Sequence, residues 1–222
     1  KLIRIPIFVI SLNNSHRREI ISNRLNSLNL KFEFIDAVDG KSLQDEQLKL
    51  VDYDFYPQIC GSSRKLTLGE IGCAMSHIKV YQKIIDEKIE IAIILEDDAI
   101  VSNHFLLIVN DIIRKIPKRA EICFLDHDKA KSWLLKRMLI QRYKLARYVT
   151  PRKKSKRCII CATAYFLTLS GAQKLLDKAY PIRMPADYLT GMLQLTGVHG
   201  YGVEPPCVFK GVDSEIDAIE QR

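Results

Sequence analysis

The sequence predicts an α/β fold in one domain over residues 1–222, with a central, mainly parallel β-sheet flanked by helices. Short apolar runs alternate with amphipathic helical patterns through the first 130 residues, which is typical of parallel strands joined by crossover helices. Hydrophobic residues make up 47% of the chain, enough to fill the core of such a domain. No internal repeat is visible, so a solenoid is not expected.

The first three elements predict a βαβ unit. Residues 5–12 (IPIFVISL) read as a strand, residues 16–30 as a helix with isoleucine and leucine on one face, and residues 32–40 (FEFIDAVDG) as a second strand that ends in a turn. A parallel crossover places the loop after the first strand and the AVDG turn at the same edge of the sheet. Ligands of open α/β sheets bind at that edge.

The same periodicities predict the remaining elements in order. They are a short helix at 43–50, a long amphipathic helix at 67–88, a buried strand at 89–95, a helix at 104–115 before Pro117, a strand at 121–128, a strand at 158–169, a helix at 170–180, a further helix at 181–195 and short strands within 197–209.

The net charge of +8 is concentrated in residues 129–157, which hold twelve lysines or arginines and no acid. Apolar residues recur there at intervals of three and four, which predicts a basic amphipathic helix closed by Pro151. A solvated surface helix, attraction to an anionic membrane surface and nucleic-acid binding are the three interpretations. No nucleic-acid-binding motif supports the last, so no nucleic-acid partner is expected.

The cysteines and apolar runs limit the class of protein. Six scattered cysteines do not suggest a disulfide framework, and a reducing cytosol is expected. Cys158 and Cys161 form a single CxxC without a second ligand pair, so we interpret them as buried strand cysteines rather than zinc ligands. The longest apolar runs are far below the ~20 residues of a membrane-spanning helix.

The stretch AIILEDDAIVS, residues 92–102, places three acids directly after a buried strand. In an extended chain Glu96 and Asp98 lie on one side and Asp97 on the other. Two carboxylates on one side repel unless a proton or a cation lies between them, and such oxygen ligands suit Mg²⁺ or Mn²⁺ beside a substrate phosphate. A strand end that reaches solvent is the alternative interpretation.

Six stretches together resemble the successive motif blocks of glycosyltransferase family 25, over most of residues 3–190. They are IPIFVISLNNSHRR, FEFIDAVDGKSL, LTLGEIGCAMSHIKVYQKII, IAIILEDDA, ATAYFLTLSGAQKLL and PIRMPADYL. That family includes lipooligosaccharide galactosyltransferases of Gram-negative bacteria and collagen galactosyltransferases. The resemblance implies a nucleotide-sugar-binding fold of the GT-A type, with Glu96, Asp97 and Asp98 at the position of its DxD motif. The first acid departs from that motif by one methylene.

The resemblance also implies roles for individual residues. Mn²⁺ or Mg²⁺ would bind Glu96 and Asp98, with His199 as a third ligand. The donor, a UDP-sugar, would contact residues of the first loop, the AVDG turn, the GEIGCAMSH block and the acidic triplet: Asn13, Arg17, Arg18, Asp39, Gly40, Gly69, Glu70, Gly72, Ser76, His77 and Asp97.

The base that takes the proton of the acceptor hydroxyl is assigned first to Asp187 and second to Asp126 or Asp128. Each role has a plainer alternative. Arg17 and Arg18 can be solvated on the first helical turn, Asp39 and Gly40 can form an ordinary turn, and His77 can be a hydrogen-bonded structural histidine. Asp187 can be a carboxylate that favours a helix N-terminus.

The expected protein is a cytoplasmic glycosyltransferase, peripheral on the inner face of the bacterial inner membrane. It would transfer galactose from UDP-galactose, with inversion, onto a lipid-linked lipooligosaccharide acceptor, and residues 129–157 would contact the anionic membrane. A metal-dependent phosphohydrolase and an inactive basic module that binds membranes or nucleic acid are the alternatives.

Overall fold

A mixed eight-stranded sheet forms the centre of the molecule in the computed structural model, which describes residues 5–61 and 63–211. Its strand order is β2-β1-β3-β8-β5-β9-β7-β6, and β10 pairs with β4 in a separate two-stranded sheet. The strands are β1 (Ile7–Ser11), β2 (Glu33–Asp36), β3 (Ile91–Glu96), β4 (Ala99–Val101), β5 (Ile122–Phe124), β6 (Ser132–Met138), β7 (Lys144–Tyr148), β8 (Ala164–Thr168), β9 (Gly200–Glu204) and β10 (Val208–Lys210).

Eight α-helices are present in the described residues, and they cover both faces of this sheet. They are α1 (Arg17–Ser27), α2 (Asp45–Leu48), α3 (Phe55–Cys60), α4 (Leu68–Asp86), α5 (Phe105–Lys115), α6 (Leu169–Leu176), α7 (Ala186–Gly191) and α8 (Leu193–Thr196). The predicted α/β class with a helix-flanked central sheet is confirmed. None of the described helices has the length and apolar character needed to cross a membrane.

Strand direction explains how the predicted βαβ unit positions the cleft. β1 pairs in parallel with both β2 and β3, and β5 pairs in parallel with β9. β8 and β7 run against their neighbours, so six of the eight strands point the same way. The registers place Ser11 opposite Asp36 and Ile10 opposite Glu96. The ends of three strands therefore lie side by side: the sequence predicts this for β1 and β2, and the pairing with β3 adds the third.

Both faces of the central strands are buried, which explains their continuous apolar sequences. Phe8 and Ile10 of β1 belong to the core on one face, which α4 and α6 also line, whereas Ile7 and Val9 belong to the core on the other face beneath α1 and α5. Alternate residues of one strand thus fill two cores, and no position is left for a solvent-facing polar residue until the strand ends.

The long helix α4 approaches the β2 turn closely because two glycines allow it. A Cβ added at Gly72 would lie 2.6 Å from the Val38 carbonyl oxygen, and one at Gly40 would lie 2.0 Å from the Leu68 carbonyl oxygen. α4 begins with a capping box in which Thr67 accepts from the Glu70 N–H and Glu70 accepts from the Thr67 N–H. The helix start is therefore fixed against the cleft-forming turn.

The prediction of a basic amphipathic helix within residues 129–157 is wrong. That segment forms the antiparallel hairpin of β6 and β7, joined by a short 3-10 turn at Ile140–Arg142. β7 pairs with β9, and this pairing buries Leu145 on one face of the sheet and Ala146 and Tyr148 on the other. Pairing with a distant strand overrides a local helical period, because short apolar runs fit either structure.

Two later predictions need smaller corrections. The strand predicted at 158–169 is limited to β8, and Cys158 and Cys161 lie in the irregular stretch before it rather than in a strand. Cys158 is buried and Cys161 is half-buried, and no disulfide joins cysteines in the described residues. The helix predicted at 181–195 is broken at Met192 into α7 and α8.

Candidate functional site

A cleft of about 560 Å³ lies at the carboxyl ends of β1, β2 and β3. Its walls come from the loop after β1, the turn after β2, the first turns of α4, the acidic triplet after β3 and the last residue of β10. The polar and charged residues that line it are Ser11, Ser15, His16, Arg17, Asp39, Cys73, Ser76, Glu96, Asp97, Asp98 and Lys210.

The acidic triplet does not continue the strand. β3 ends at Glu96, and Asp97 and Asp98 form the turn that leads into β4. The expectation that alternation along an extended chain separates Asp97 from the other two acids therefore does not apply. All three acids nevertheless line the same cleft.

Asp98 is the most unusual of the three acids. Its side chain is buried, with the residue 8% exposed, and no group in the described part of the chain donates a hydrogen bond to its Oδ1. Its Oδ2 lies 3.9 Å from Lys210 Nζ. Burial, assisted by the charge of Glu96, raises the pKa of Asp98 to about 6. A buried carboxylate oxygen without a partner is costly, so the site favours a bound cation or a proton.

Asp97 is held by β1 and the loop that follows it. Ser11 Oγ donates a 2.6 Å hydrogen bond to Asp97 Oδ2, and Arg17 lies 3.7 Å from Asp97 Oδ1. Asp97 therefore links the end of β1 to the acidic turn and places Arg17 at the wall of the cleft.

Glu96 is held by α4 through a chain of hydrogen bonds. Its Oε1 lies 3.2 Å from His77 Nε2 and 3.6 Å from Cys73 Sγ. His77 Nδ1 lies 2.7 Å from the hydroxyl of Tyr165, which lies 3.2 Å from the hydroxyl of Tyr81. Burial opposes ionisation of Glu96, but His77, Lys210 and Cys73 together outweigh burial, and the pKa of Glu96 is below its ordinary value. Glu96 is therefore a fixed, ionised carboxylate.

Two further acids lie close enough to Glu96 for its charge to act on them. Asp187, in the first turn of α7, accepts hydrogen bonds from the backbone of Tyr188 and Cys161, yet burial raises its pKa and the charge of Glu96 adds to the rise. Asp126 follows β5, and its Oδ2 is buried with no donor among the described residues. Burial raises the pKa of Asp126 as well. The site concentrates negative charge that only a cation or protons can relieve.

The structure does not bring His199 to these acids. His199 immediately precedes Gly200, which is level with Ile122 in β5 and, through β8, with Ala92 in β3. Glu96 lies four residues further along β3, about 13 Å at the usual rise of a strand. His199 is instead 53% exposed at the opposite edge, 3.4 Å from Glu121. In this arrangement His199 does not lie beside a metal held by Glu96 and Asp98.

Asp128 is also separate from the cleft-lining residues. It is exposed, its backbone pairs with Ile160, and its carboxylate accepts from the Lys129 N–H. Of the three candidate bases, Asp126 is buried and Asp187 is half-buried.

Several residues assigned to the donor have structural contacts that account for them. Glu70 caps α4 and accepts two 2.8 Å hydrogen bonds from Arg64, and Ser76 accepts from the Val38 N–H. Gly40 and Gly72 permit the close approach of α4 to the β2 turn, whereas a Cβ at Gly69 would meet nothing closer than 3.9 Å. Of the three glycines, Gly69 has room above it in the cleft.

The residues of the first loop also divide into those with structural contacts and those that line the cleft. Arg18 stacks on Phe34, donates to Asn13 and the Ser11 carbonyl, and forms a short ion pair with Asp36. Arg18 and Asn13 therefore join the ends of β1 and β2. Arg17 lines the cleft, and Asp39 lines it while its carboxylate accepts from the Lys41 N–H.

Sequence reasoning missed Lys210, Ser11, Cys73 and Tyr165. Lys210 reaches the cleft because β10 pairs with β4, which places Lys210 opposite Ala99. No local motif marks it. Cys73 and Ser11 lie inside two of the motif stretches, so their positions could have indicated a role. Cys73 lies one helical turn before His77, and Ser11 is the last residue of β1.

The residues present fit a hard divalent cation. Mg²⁺ and Mn²⁺ prefer carboxylate oxygens, and Asp98 offers a buried carboxylate oxygen with no other partner in the described residues. Glu96 is less available, since His77 and Cys73 already hold its Oε1. Asp98 is therefore the direct ligand that the geometry favours.

Comparison with known proteins gives a consistent result. The family model described as "Glycosyltransferase family 25 (LPS biosynthesis protein)" matches residues 4–190. Procollagen galactosyltransferase 2 of Mus musculus is 33% identical over 178 residues, which cover 76% of this chain and 27% of the mouse protein. Procollagen galactosyltransferase 1 of Danio rerio is 28% identical over 194 residues, which cover 82% of this chain and 30% of the fish protein.

The chain spans less than a third of the length of these two relatives. A further relative bears the name "Inactive glycosyltransferase 25 family member 3" in Mus musculus, and it is 31% identical over 102 residues, 45% of this chain and 17% of the relative. Proteins similar to this chain thus include relatives named as galactosyltransferases and a relative named as inactive.

The raised pKa of Asp98 predicts that the acid destabilises the metal-free fold at neutral pH. In the folded protein the Asp98 carboxyl has a pKa of about 6, against an ordinary value of 3.8. The contribution of this group to the free energy of unfolding is therefore fully present below pH 3.8 and is lost as the pH rises through 6, where the buried carboxyl becomes charged. Asp98→Asn should therefore raise the free energy of unfolding in chelator at pH 7.5 by roughly 1–3 kcal/mol, allowing for solvent screening. Denaturant titrations at pH 4, 5.5 and 7.5 measure the difference.

The matched control is Asp177→Asn, which alters an exposed aspartate of the loop after α6 and should show no such trend. An Asp98→Asn effect of equal size at all three pH values would contradict the role given to the Asp98 charge.

Proposed function

Because the chain belongs to glycosyltransferase family 25, we propose that it transfers a hexose, galactose from UDP-galactose, with inversion onto a lipooligosaccharide or lipopolysaccharide acceptor. The observation that carries the proposal is Asp98, a buried acid in a cleft at the ends of three parallel strands, whose Oδ1 has no hydrogen-bond partner in residues 5–61 and 63–211. The names of the relatives support galactose, and the description of the family supports the acceptor.

Mn²⁺ or Mg²⁺ would be held by Asp98 directly, with Glu96 acting from its fixed position beside it. A divalent cation there supplies neutralisation of the charge that develops on the departing nucleoside diphosphate. Arg17 and Lys210, both at the wall of the cleft, supply further positive charge for the diphosphate. Asp97 positions Arg17 through its ion pair.

Asp187 is the proposed base. Inversion requires a group that accepts the proton of the acceptor hydroxyl as that oxygen attacks the anomeric carbon. Burial and the charge of Glu96 raise the pKa of Asp187, and a raised pKa makes its carboxylate a better proton acceptor at neutral pH. Asp126 remains the second choice, because burial raises its pKa too and its Oδ2 has no partner among the described residues.

The acceptor and the place of action are further parts of the proposal. A lipid-linked oligosaccharide is held at a membrane, and an enzyme that extends it gains from attachment to the cytoplasmic, anionic surface of the inner membrane. Residues 129–157 supply such a surface. Their hairpin exposes Leu134 and Leu135 at 97% and 92%, next to exposed Trp133 and Met138.

Basic groups surround these apolar side chains. A groove of about 600 Å³ is lined by Trp133 and Leu135 together with Arg119, Arg137 and Arg147, and Arg147 stacks over Trp133. Apolar side chains that enter the headgroup region, with arginines beside them for the phosphates, are the chemistry of an interfacial anchor. The occupant we propose is therefore an anionic lipid surface.

The donor site is tested by thermal unfolding with UDP, UDP-galactose, UDP-glucose, UDP-N-acetylglucosamine and GDP-mannose, each with Mn²⁺ and with chelator. UDP compounds should raise Tm only with Mn²⁺, because a ligand stabilises the state that binds it. Asp98→Asn should lose the metal-dependent shift. Asp187→Asn should keep the shift and lose at least 100-fold in sugar transfer, since a base acts on the reaction and not on donor binding.

Equal shifts with chelator, or full transfer by Asp98→Asn, would contradict the metal role. Equal stabilisation by GDP-mannose would contradict the choice of a UDP-sugar.

Membrane attachment is tested by co-sedimentation with phosphatidylglycerol-containing vesicles at low and high salt. Binding should fall by up to about a thousandfold when Lys153, Lys154, Lys156 and Arg157 are changed to alanine, because each lysine or arginine near an anionic surface contributes about 1 kcal/mol. Leu134→Ser with Leu135→Ser should weaken the part of binding that salt does not remove.

The matched control changes four exposed lysines elsewhere, Lys31, Lys41, Lys65 and Lys178, to alanine. Equal losses in both sets would mean that net charge alone attracts the protein, and binding to neutral vesicles of the same strength would contradict the proposal.

A further inference from the structure

Three different metal-binding atoms meet at the base of the cleft. Cys73 Sγ, His77 Nε2 and Glu96 Oε1 all lie within 4.8 Å of one another. The nitrogen and the oxygen are 3.2 Å apart, and the sulfur and the oxygen are 3.6 Å apart. The metal proposed at Asp98 for binding of the nucleotide sugar uses neither the Cys73 thiol nor the His77 imidazole.

These separations match the edges of a tetrahedral zinc site. With Zn–N and Zn–O bonds of about 2.0–2.1 Å and a Zn–S bond of about 2.3 Å, tetrahedral geometry puts nitrogen and oxygen about 3.4 Å apart and sulfur and oxygen about 3.6 Å apart. The third edge, between sulfur and nitrogen, needs about 3.6 Å. The three side chains therefore need only small movements to share one ion.

The scaffold holds the ligands in place. Cys73 and His77 are four residues apart on α4, so they lie on the same face one turn from each other, and Glu96 ends the adjacent strand β3. The other ring nitrogen of His77 is 2.7 Å from the Tyr165 hydroxyl, and the two rings stack. A hydrogen bond to the second nitrogen of a ligating histidine fixes its orientation and its protonation.

Access and charge also favour a cation. Cys73 and Glu96 line the cleft, so an ion can enter from solvent and keep a water or a substrate group in the fourth position. The Glu96 carboxylate, which both the thiol and the imidazole contact, supplies negative charge to such an ion.

We propose that Cys73, His77 and Glu96 form a binding site for a thiophilic divalent cation, Zn²⁺, beside the position given to Mn²⁺ or Mg²⁺ at Asp98. Binding releases the thiol proton to solvent, and the thiolate sulfur, the lone pair of His77 Nε2 and Glu96 Oε1 bond to the ion. The proton that His77 Nε2 shares with Glu96 in the metal-free cluster leaves that nitrogen by exchange with solvent, and the neutral ring keeps one proton on Nδ1, where the N–H donates a hydrogen bond to the Tyr165 oxygen. Thiolate and imidazole select zinc over magnesium and manganese.

The site has a consequence for the cleft. Zinc engages the Glu96 oxygen that otherwise bonds to His77, and it adds charge next to Asp98. The two cation positions are therefore coupled, but the zinc site is defined by the thiol and the imidazole and does not depend on the transferase reaction.

Cobalt provides the direct test, because tetrahedral Co²⁺ bound to thiolate has a charge-transfer absorption that oxygen-bound Co²⁺ lacks. The full chain, reduced with a phosphine, is titrated with Co²⁺ and then with Zn²⁺. A saturable charge-transfer band at one equivalent, abolished by Zn²⁺, is expected. Cys73→Ser should remove the band, and Tyr165→Phe should weaken cobalt affinity about tenfold by releasing His77.

Three controls make the outcome specific. Cys60→Ser and Cys161→Ser, which change cysteines outside the cluster, should keep the band. Asp98→Asn should keep it too, so failure of the Mn²⁺ proposal and failure of this one are distinguishable. Absence of the band in the wild-type protein at saturating Co²⁺, or its survival in Cys73→Ser, would overturn the proposal. Metal-free circular dichroism establishes that each variant is folded.

Discussion

Parallel pairing of β1 with both β2 and β3 is the constraint on which the rest of the structure depends. It brings Ser11, Asp36 and Glu96 to one edge, because the register sets the ends of the three strands level. Both faces of β1 and β3 are filled with apolar side chains, so their polar residues appear only where the two strands stop. The cleft follows from this arrangement, since the first polar side chains of three strands must share one edge.

The cleft then concentrates more negative charge than its own cations balance. Glu96 is ionised, with His77 of α4 as its main favourable contact, whereas burial raises the pKa values of Asp98 in the cleft and of Asp126 and Asp187, which lie near Glu96. Such a cluster is unfavourable in the free protein and becomes favourable when a cation binds. The clustered carboxylates thus lower the free energy of unfolding of the metal-free protein at the site that binds the nucleotide sugar in the proposed function.

Prediction from sequence succeeded where the determinants are local. The first strand, helix and turn, the start of the long helix α4 and the acidic end of β3 follow from patterns within twenty residues. The hairpin of residues 132–148 did not, because its conformation is decided by pairing of β7 with β9, more than fifty residues away. The positions of Lys210 and His199 could not be predicted for the same reason. Pairing of β10 with β4 brings Lys210 to the cleft, and pairing of β9 with β5 leaves His199 at the other edge.

The measurement that tests the central claim most directly is anomalous X-ray scattering at the manganese edge from crystals grown with UDP and Mn²⁺. A single strong peak bonded to Asp98 and to the diphosphate, in the cleft between Arg17 and Lys210, is the predicted result. A peak at His199 or elsewhere, or UDP bound in the cleft without any metal, would contradict the claim that the acids after β3 hold the nucleotide through a divalent cation.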